Sequence, residues 1–167
     1  MGRTILVTGS SGTVGTALTL ELMRQGFDVI PLDVKHSLWD KELNRRTVYH
    51  DLREPIGRLR KKPDMIVHLA AHARVHELVR RPDRARDNYI MTANLLEYAR
   101  KQGVERFLFA SSREVYGESR AGERRKEDST VLEKIKSPYT ASKFGSEALL
   151  RAYEECYGLK TVTVRLS

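Results

Sequence analysis

Short apolar runs alternate with longer stretches of helical periodicity along the whole chain. The runs fall at residues 4–8, 28–32, 47–50, 65–69, 106–110 and 160–166, and most are apolar on successive positions. A half-buried strand alternates apolar with polar; a strand covered on both faces does not. These runs therefore predict strands with helices above and below them. Stretches at 14–25, 55–61, 83–102 and 138–157 predict the helices. Gly26, Gly103 and Gly158 each stand between a helix and the next strand, where a left-handed residue closes a helix. Alternation with right-handed crossovers gives a Rossmann-type α/β fold, a doubly wound parallel sheet in three α/β/α layers. The segment 117–136 is polar, charged and long, and predicts either a lid over a site or a disordered loop. The strand–helix pattern resumes after it, so residues 1–167 are expected to form one domain.

Composition adds limits. A chain of 167 residues buries roughly two thirds of its unfolded surface, enough for a core without staples. The single cysteine, Cys156, excludes a disulfide framework and a four-cysteine zinc site, and fits a reducing, cytoplasmic location. It is expected to be a small core residue. No apolar run approaches the roughly 20 residues of a membrane helix, so no membrane partner is expected. The chain starts almost at once with a strand-like run, which is not the pattern of a signal peptide. The net charge of +8 invites an anionic partner. Neither an aromatic stacking platform nor a basic recognition helix accompanies it, so nucleic acid is not expected.

The first strand runs into Thr8-Gly9-Ser10-Ser11-Gly12-Thr13-Val14-Gly15 and a helix follows. Glycines in such a turn permit the tight bend, the approach of a pyrophosphate and close helix–strand packing. The helix N-terminus offers free N–H groups and partial positive charge to phosphates. The spacing is G-x-x-G-x-x-G, and a glycine-rich turn without a ligand is the competing reading. Asp33 ends the second strand, 18 residues past Gly15, near the separation expected of an acid on the adenosine ribose. That favours NAD over NADP, although Lys35 and His36 stand close enough to tolerate the extra phosphate. Asp51, after the third strand, is placed to reach an adenine amino group; an isolated Asp there also serves as a turn cap.

Ser137-Pro138-Tyr139 opens the last long helix with a good N-cap and a proline at the first helical position. Tyr139 and Lys143 are then one turn apart on one face. A nearby ammonium is expected to lower the phenol pKa and let the pair exchange a proton with a substrate hydroxyl. The fifth strand ends in Ser111-Ser112, where ligands bind in an open α/β sheet. Ser112 is expected to hydrogen-bond the reacting hydroxyl and Ser111 to be a turn residue. Each of these patterns alone is common on helices and strand ends.

Together, Thr8 to Gly15, His68-Leu69-Ala70-Ala71, Ser111 to Gly117, Tyr139 with Lys143, and Val164-Arg165-Leu166-Ser167 resemble the extended short-chain dehydrogenases/reductases. More narrowly they are similar to NAD-dependent nucleotide-sugar epimerases/dehydratases. The resemblance implies a Rossmann fold holding NAD. It implies Tyr139 as catalytic acid/base, with Lys143 on the nicotinamide ribose and Ser112 assisting. It further implies cofactor contacts from Gly9, Ser11, Gly12, Thr13, Val14, Gly15, Asp33, Asp51, Leu52, Leu69, Ala70, Ala71, Asn88, Tyr139 and Lys143. Asn88 is also readable as a local bridge. The substrate implied is a nucleotide sugar, a UDP-sugar foremost, and the assembly a homodimer through the two long helices.

Two departures shape the expectation. The family's 4,6-dehydratases carry an Asp-Glu pair just after the catalytic Ser/Thr, and here the positions read Arg113-Glu114. A 4-epimerase is therefore the leading reading, with a reductase or dehydratase on the same scaffold, or a non-catalytic NAD-binding module, as alternatives. The chain also ends at Ser167, while family members run to about twice the length; the C-terminal substrate region is expected to be absent. Elsewhere, Arg74, His76, Arg80, Arg81, Arg84 and Arg86 read first as a solvated face, with one or two of them able to meet the diphosphate of a sugar nucleotide. His68, His72 and His76 do not make a zinc site, because the first lies in a strand. Ala141, Gly145, Ala148, Leu149, Ala152 and Cys156 form a small-residue stripe expected to pack on the sheet or on a partner helix.

Overall fold

The computed structural model describes residues 2–117, 124–129 and 132–167. Six parallel strands form one sheet in the order β3-β2-β1-β4-β5-β6. They are β1 (Thr4–Thr8), β2 (Asp28–Asp33), β3 (Val48–Tyr49), β4 (Met65–His68), β5 (Arg106–Ser112) and β6 (Lys160–Leu166). Between them lie α1 (Thr13–Arg24), α2 (Lys41–Arg46), α3 (Val75–Arg80), α4 (Asp83–Gln102) and α5 (Pro138–Tyr157). The strand order reverses beside β1, which makes the carboxyl ends of β1 and β4 the natural crevice of this fold.

The β1 sequence shows why the sheet takes two layers of helix. Ile5 and Val7 pack with Val29, Val67 and the α1 residues Leu18 and Leu22. Leu6, between them, turns to the other face, with Ile66, Leu95, Leu96, Phe107, Phe109 and Leu150. The expected left-handed closures hold where helix meets strand: Gly103 and Gly158 cap α4 and α5 at φ 63° and 69°.

Several expectations are corrected. Residues 55–61 form no helix; Ile56 and Leu59 reach the core from irregular chain. Two six-residue helices, α2 and α3, stand where none was expected, each with one buried residue, Leu43 and Leu78. Cys156 is exposed. Of the small-residue stripe, Leu149 packs against the core while Ala141, Ala148 and Ala152 are exposed rather than packed on the sheet, and α5 buries Tyr139, Thr140, Ser142, Lys143, Ser146 and Leu150. Its inward face is largely polar, because that face builds a site rather than a plain core. Of the 117–136 segment, expected as lid or disordered loop, residues 118–123, 130 and 131 lie outside the described residues. Its described parts include 3-10 turns at Glu127–Ser129 and Leu132–Lys134. Among the described residues no helix is long and apolar enough to cross a membrane.

Candidate functional site

The turn after β1 is built by backbone contact. Gly9 has φ 70°, and a Cβ there would lie 2.7 Å from the Ala70 nitrogen. A Cβ on Gly15 would run into the Gly9 carbonyl. The exits of β1 and β4 and the first turn of α1 therefore meet with no room for a side chain. Gly12 caps α1 without a side-chain hydrogen bond, and no acid sits in the first turn. That end of the helix keeps its partial positive charge for an anion. Ser10 and Ser11 have buried hydroxyls with no hydrogen-bond partner. Buried hydroxyls ordinarily have one, so this turn suits a group that brings its own acceptors.

A cavity of about 470 Å³ opens beside the turn. Gly9, Ser11, Gly12, Asp33, Asp51, Leu52, Leu69, Ala70 and Ala71 all line it, together with Lys35 and Arg53. Thr13 and Val14 are exposed on α1, and Gly15 is buried behind Gly9. Asp33 ties the cavity together: Ser11 N–H donates to one carboxylate oxygen at 2.9 Å, and Val34 and Lys35 N–H donate to the other at 2.7 and 3.0 Å. A carboxylate offers about four acceptor directions, so capacity remains for a ribose hydroxyl. Donors, acceptors and shape fit the adenosine diphosphate part of a dinucleotide.

The second cluster lies at the end of β5. Lys143, 5% exposed, donates from Nζ to the Ala110 carbonyl at 2.7 Å and stands 4.7 Å above the Phe109 ring. Burial brings its pKa down to about 8, opposed by the Glu147 carboxylate. Tyr139 is buried as well. Burial raises its pKa, a hydrogen bond with Ser112 pulls it back, and Glu114 adds to the rise. This corrects the expected lowering by Lys143, whose ammonium is engaged by Ala110 instead. Ser111 is no turn residue: it is in β5 and donates to Glu147 at 2.5 Å. Glu147 in turn pairs with Arg165 of β6 at 2.7 Å, with both side chains largely buried. Asn88 accepts from His72 N–H at 2.7 Å and donates to the His72 carbonyl at 3.0 Å and to Ser142. It bridges locally, holding the end of the cavity wall against α5.

Sequence reasoning missed the roles of four contributors. Glu147 and Arg165 pair at the end of β5 beside Ser111, and the distance between them along the chain hid the pairing. His68 is fully buried between Thr8 at 2.7 Å and Thr92 at 3.1 Å. Thr92 donates onward to the Asn88 carbonyl at 3.0 Å, so His68 donates from Nε2 and accepts at Nδ1. Burial, with Lys143 adding to it, brings its pKa down to about 3. Arg53 bonds Asp51 through Nε and Nη2 at 3.0 and 2.5 Å.

The sequence model of the NAD dependent epimerase/dehydratase family matches residues 5–167. The chain belongs to that family. Its relatives include a dTDP-glucose 4,6-dehydratase of Mycobacterium tuberculosis, 32% identical over 93% of this chain and 50% of the relative. A UDP-glucose 4-epimerase of Halalkalibacterium halodurans is 31% identical over 96% of this chain and 49% of its own. Among solved structures, a Thermus thermophilus UDP-glucose 4-epimerase in complex with NAD aligns with a TM-score of 0.84 at 32% identity, covering 98% of this chain and 54% of that one. The chain thus spans about half the length of the epimerase/dehydratase relatives it matches.

Proposed function

We propose that this chain is the NAD-binding part of a nucleotide-sugar 4-epimerase. The observation that carries the reading is the Gly9–Gly15 turn and Asp33 beside an adenosine-sized cavity, with Tyr139, Ser112 and Lys143 farther along the same sheet edge. In this reading Ser112 holds the reacting sugar hydroxyl, and Tyr139 takes its proton and later returns it. Lys143 steadies the cofactor's ribose and keeps positive charge near the phenol. A bound nicotinamide dinucleotide supplies the acceptance and return of hydride. Because burial keeps the phenol pKa high, Tyr139 rests protonated and becomes a base only with a polarising partner in place.

The substrate proposed is a UDP-sugar, in keeping with the named epimerase relatives. Arg113, where the dehydratases of the family carry an acid, argues against loss of water; the dTDP-glucose 4,6-dehydratase relative keeps that second reading open to test. We also propose a cytoplasmic homodimer through the outer faces of α4 and α5, whose exposed Ala141, Ala148 and Ala152 allow close approach. Mass spectrometry of the copurifying nucleotide, followed by NAD and NADP titration of wild type and Asp33→Asn, tests the cofactor. NAD is expected to bind more tightly, and the substitution to narrow the gap. Wild type that binds NADP as tightly contradicts the assignment. Interconversion of UDP-glucose and UDP-galactose by the turnover-competent enzyme tests the reaction, and a 4-keto-6-deoxy product would favour the dehydratase.

A further inference from the structure

Arg53, Asp87 and Asn94 take no part in the reaction above, yet they converge on the turn that carries Asp51. That turn is closed by Glu54 N–H donating to the Asp51 carbonyl at 3.0 Å. It hangs from β3, a strand of two residues, so the sheet fixes it weakly. What fixes it is α4. Asn94 donates to the carbonyls of Leu52 and Arg53, both at 2.9 Å. Two helical turns earlier on the same face, Asp87 meets the Arg53 guanidinium at 3.5 Å. The Asp87 side chain is only 10% exposed. Arg53 turns the rest of its fork onto Asp51, and its backbone N–H adds a bond at 3.0 Å. The order is α4, Asp87, Arg53, Asp51, cavity.

Three N–H donors hold the Asp51 carboxylate, with Arg53 Nε shared between its two oxygens at 3.0 Å each, so three hydrogens stand against about four acceptor directions and room remains for one more donor. An ionised carboxylate accepts and never donates. A purine amino group satisfies it; a carbonyl at the same position confronts it with a second acceptor. We propose that Arg53, braced by Asp87 and Asn94, is a positioning residue that aims Asp51 at the amino group of the bound dinucleotide's base and so sets discrimination against a carbonyl-bearing base. This rests on the dinucleotide reading of the cavity and adds to it the residues that orient its base contact.

The test is calorimetric titration of the full chain with NAD and with its hypoxanthine analogue, in which the amino group is a carbonyl. Wild type is expected to favour NAD by about tenfold or more, the scale of a hydrogen bond to a charged group. Arg53→Ala should bring the ratio close to one, chiefly by weakening NAD. Arg53→Lys, which keeps charge without the fork, should give an intermediate ratio, as should Asp87→Asn. The Arg53 side chain is half exposed, so its loss spares the core. An Arg53→Ala ratio equal to wild type, or equal loss for both ligands, overturns the proposal. Wild type that binds both alike overturns it too, while wild type that binds neither overturns the reading of the cavity first.

Discussion

The turn after β1 and the cluster at the end of β5 share one edge of one sheet, with β4 between them, but they are made of different materials. The turn is backbone against backbone, with glycines where a Cβ would collide and no charged side chain within it. The cluster is side chain throughout: a buried ammonium, a buried phenol and the Glu147–Arg165 pair. A backbone cradle holds its shape with or without a ligand. A buried ammonium costs stability even with the Ala110 carbonyl to meet it, because one neutral acceptor does not replace the water it has lost. Binding and chemistry are therefore expected to separate under mutation, and the cluster is where function opposes stability.

Tyr139→Phe should break the chemical end alone. In a turnover-competent form of the enzyme, loss of the proton carrier should cost about 10²–10⁴ in rate, with little effect on NAD binding by calorimetry. Near-normal turnover would move the proton elsewhere. Gly15→Ala should break the other end. The new methyl group forces the turn apart at about 1–3 kcal/mol, and NAD affinity should fall with the melting temperature.

Lys143→Met sharpens the contrast. Its ammonium has a folded pKa of about 8 against 10.5 unfolded. Between those values the unfolded chain holds the proton that the folded one has released, so wild-type stability rises with pH across the window and the burden is greatest below it. The methionine variant should be more stable by about 1–2 kcal/mol near neutrality, flat across that window in denaturant melts, and poorer at binding NAD. An unaltered pH profile would show that Lys143 carries no such burden.

The smallest effect near neutrality belongs to His68, which serves both regions. Its folded pKa of about 3 lies below the unfolded 6.5. Stability is then complete above about 6.5 and drains as pH falls toward 3, at up to about 1 kcal/mol per pH unit. His68→Gln should remove part of that slope, read from melts at stepped pH. A slope identical to wild type would assign the acid sensitivity to other groups.

The same contrast explains what was legible in the sequence. Gly9, Gly12, Gly15 and Asp33 lie in a local pattern whose spacing follows from backbone geometry, and Asp33 reaches that turn through the Ser11 N–H. The central strands β1, β2 and β4 read clearly because burial on both faces leaves unbroken apolar runs, whereas β6 is largely exposed and read only from its β-branched residues. The inward face of α5 did not read clearly, because Ser142, Lys143 and Ser146 are polar and the alanines of the stripe beside them are exposed. The stretch 55–61 fills a gap between two strand-like runs, as a crossover helix would, yet Ile56 and Leu59 reach the core from irregular chain. In α2 and α3 a single buried leucine makes no period. Arg53 with Asp87, and Glu147 with Arg165, join residues 34 and 18 apart; such pairs have no local signature.

The most direct measurement is NAD titration by calorimetry of three proteins in parallel: the wild-type chain, Tyr139→Phe and Gly15→Ala. If the backbone turn binds and the side-chain cluster reacts, wild type and Tyr139→Phe give matching saturable curves, and Gly15→Ala gives a much weaker one or none. A wild-type chain that fails to bind NAD, or a Gly15→Ala curve that overlays it, would contradict the account.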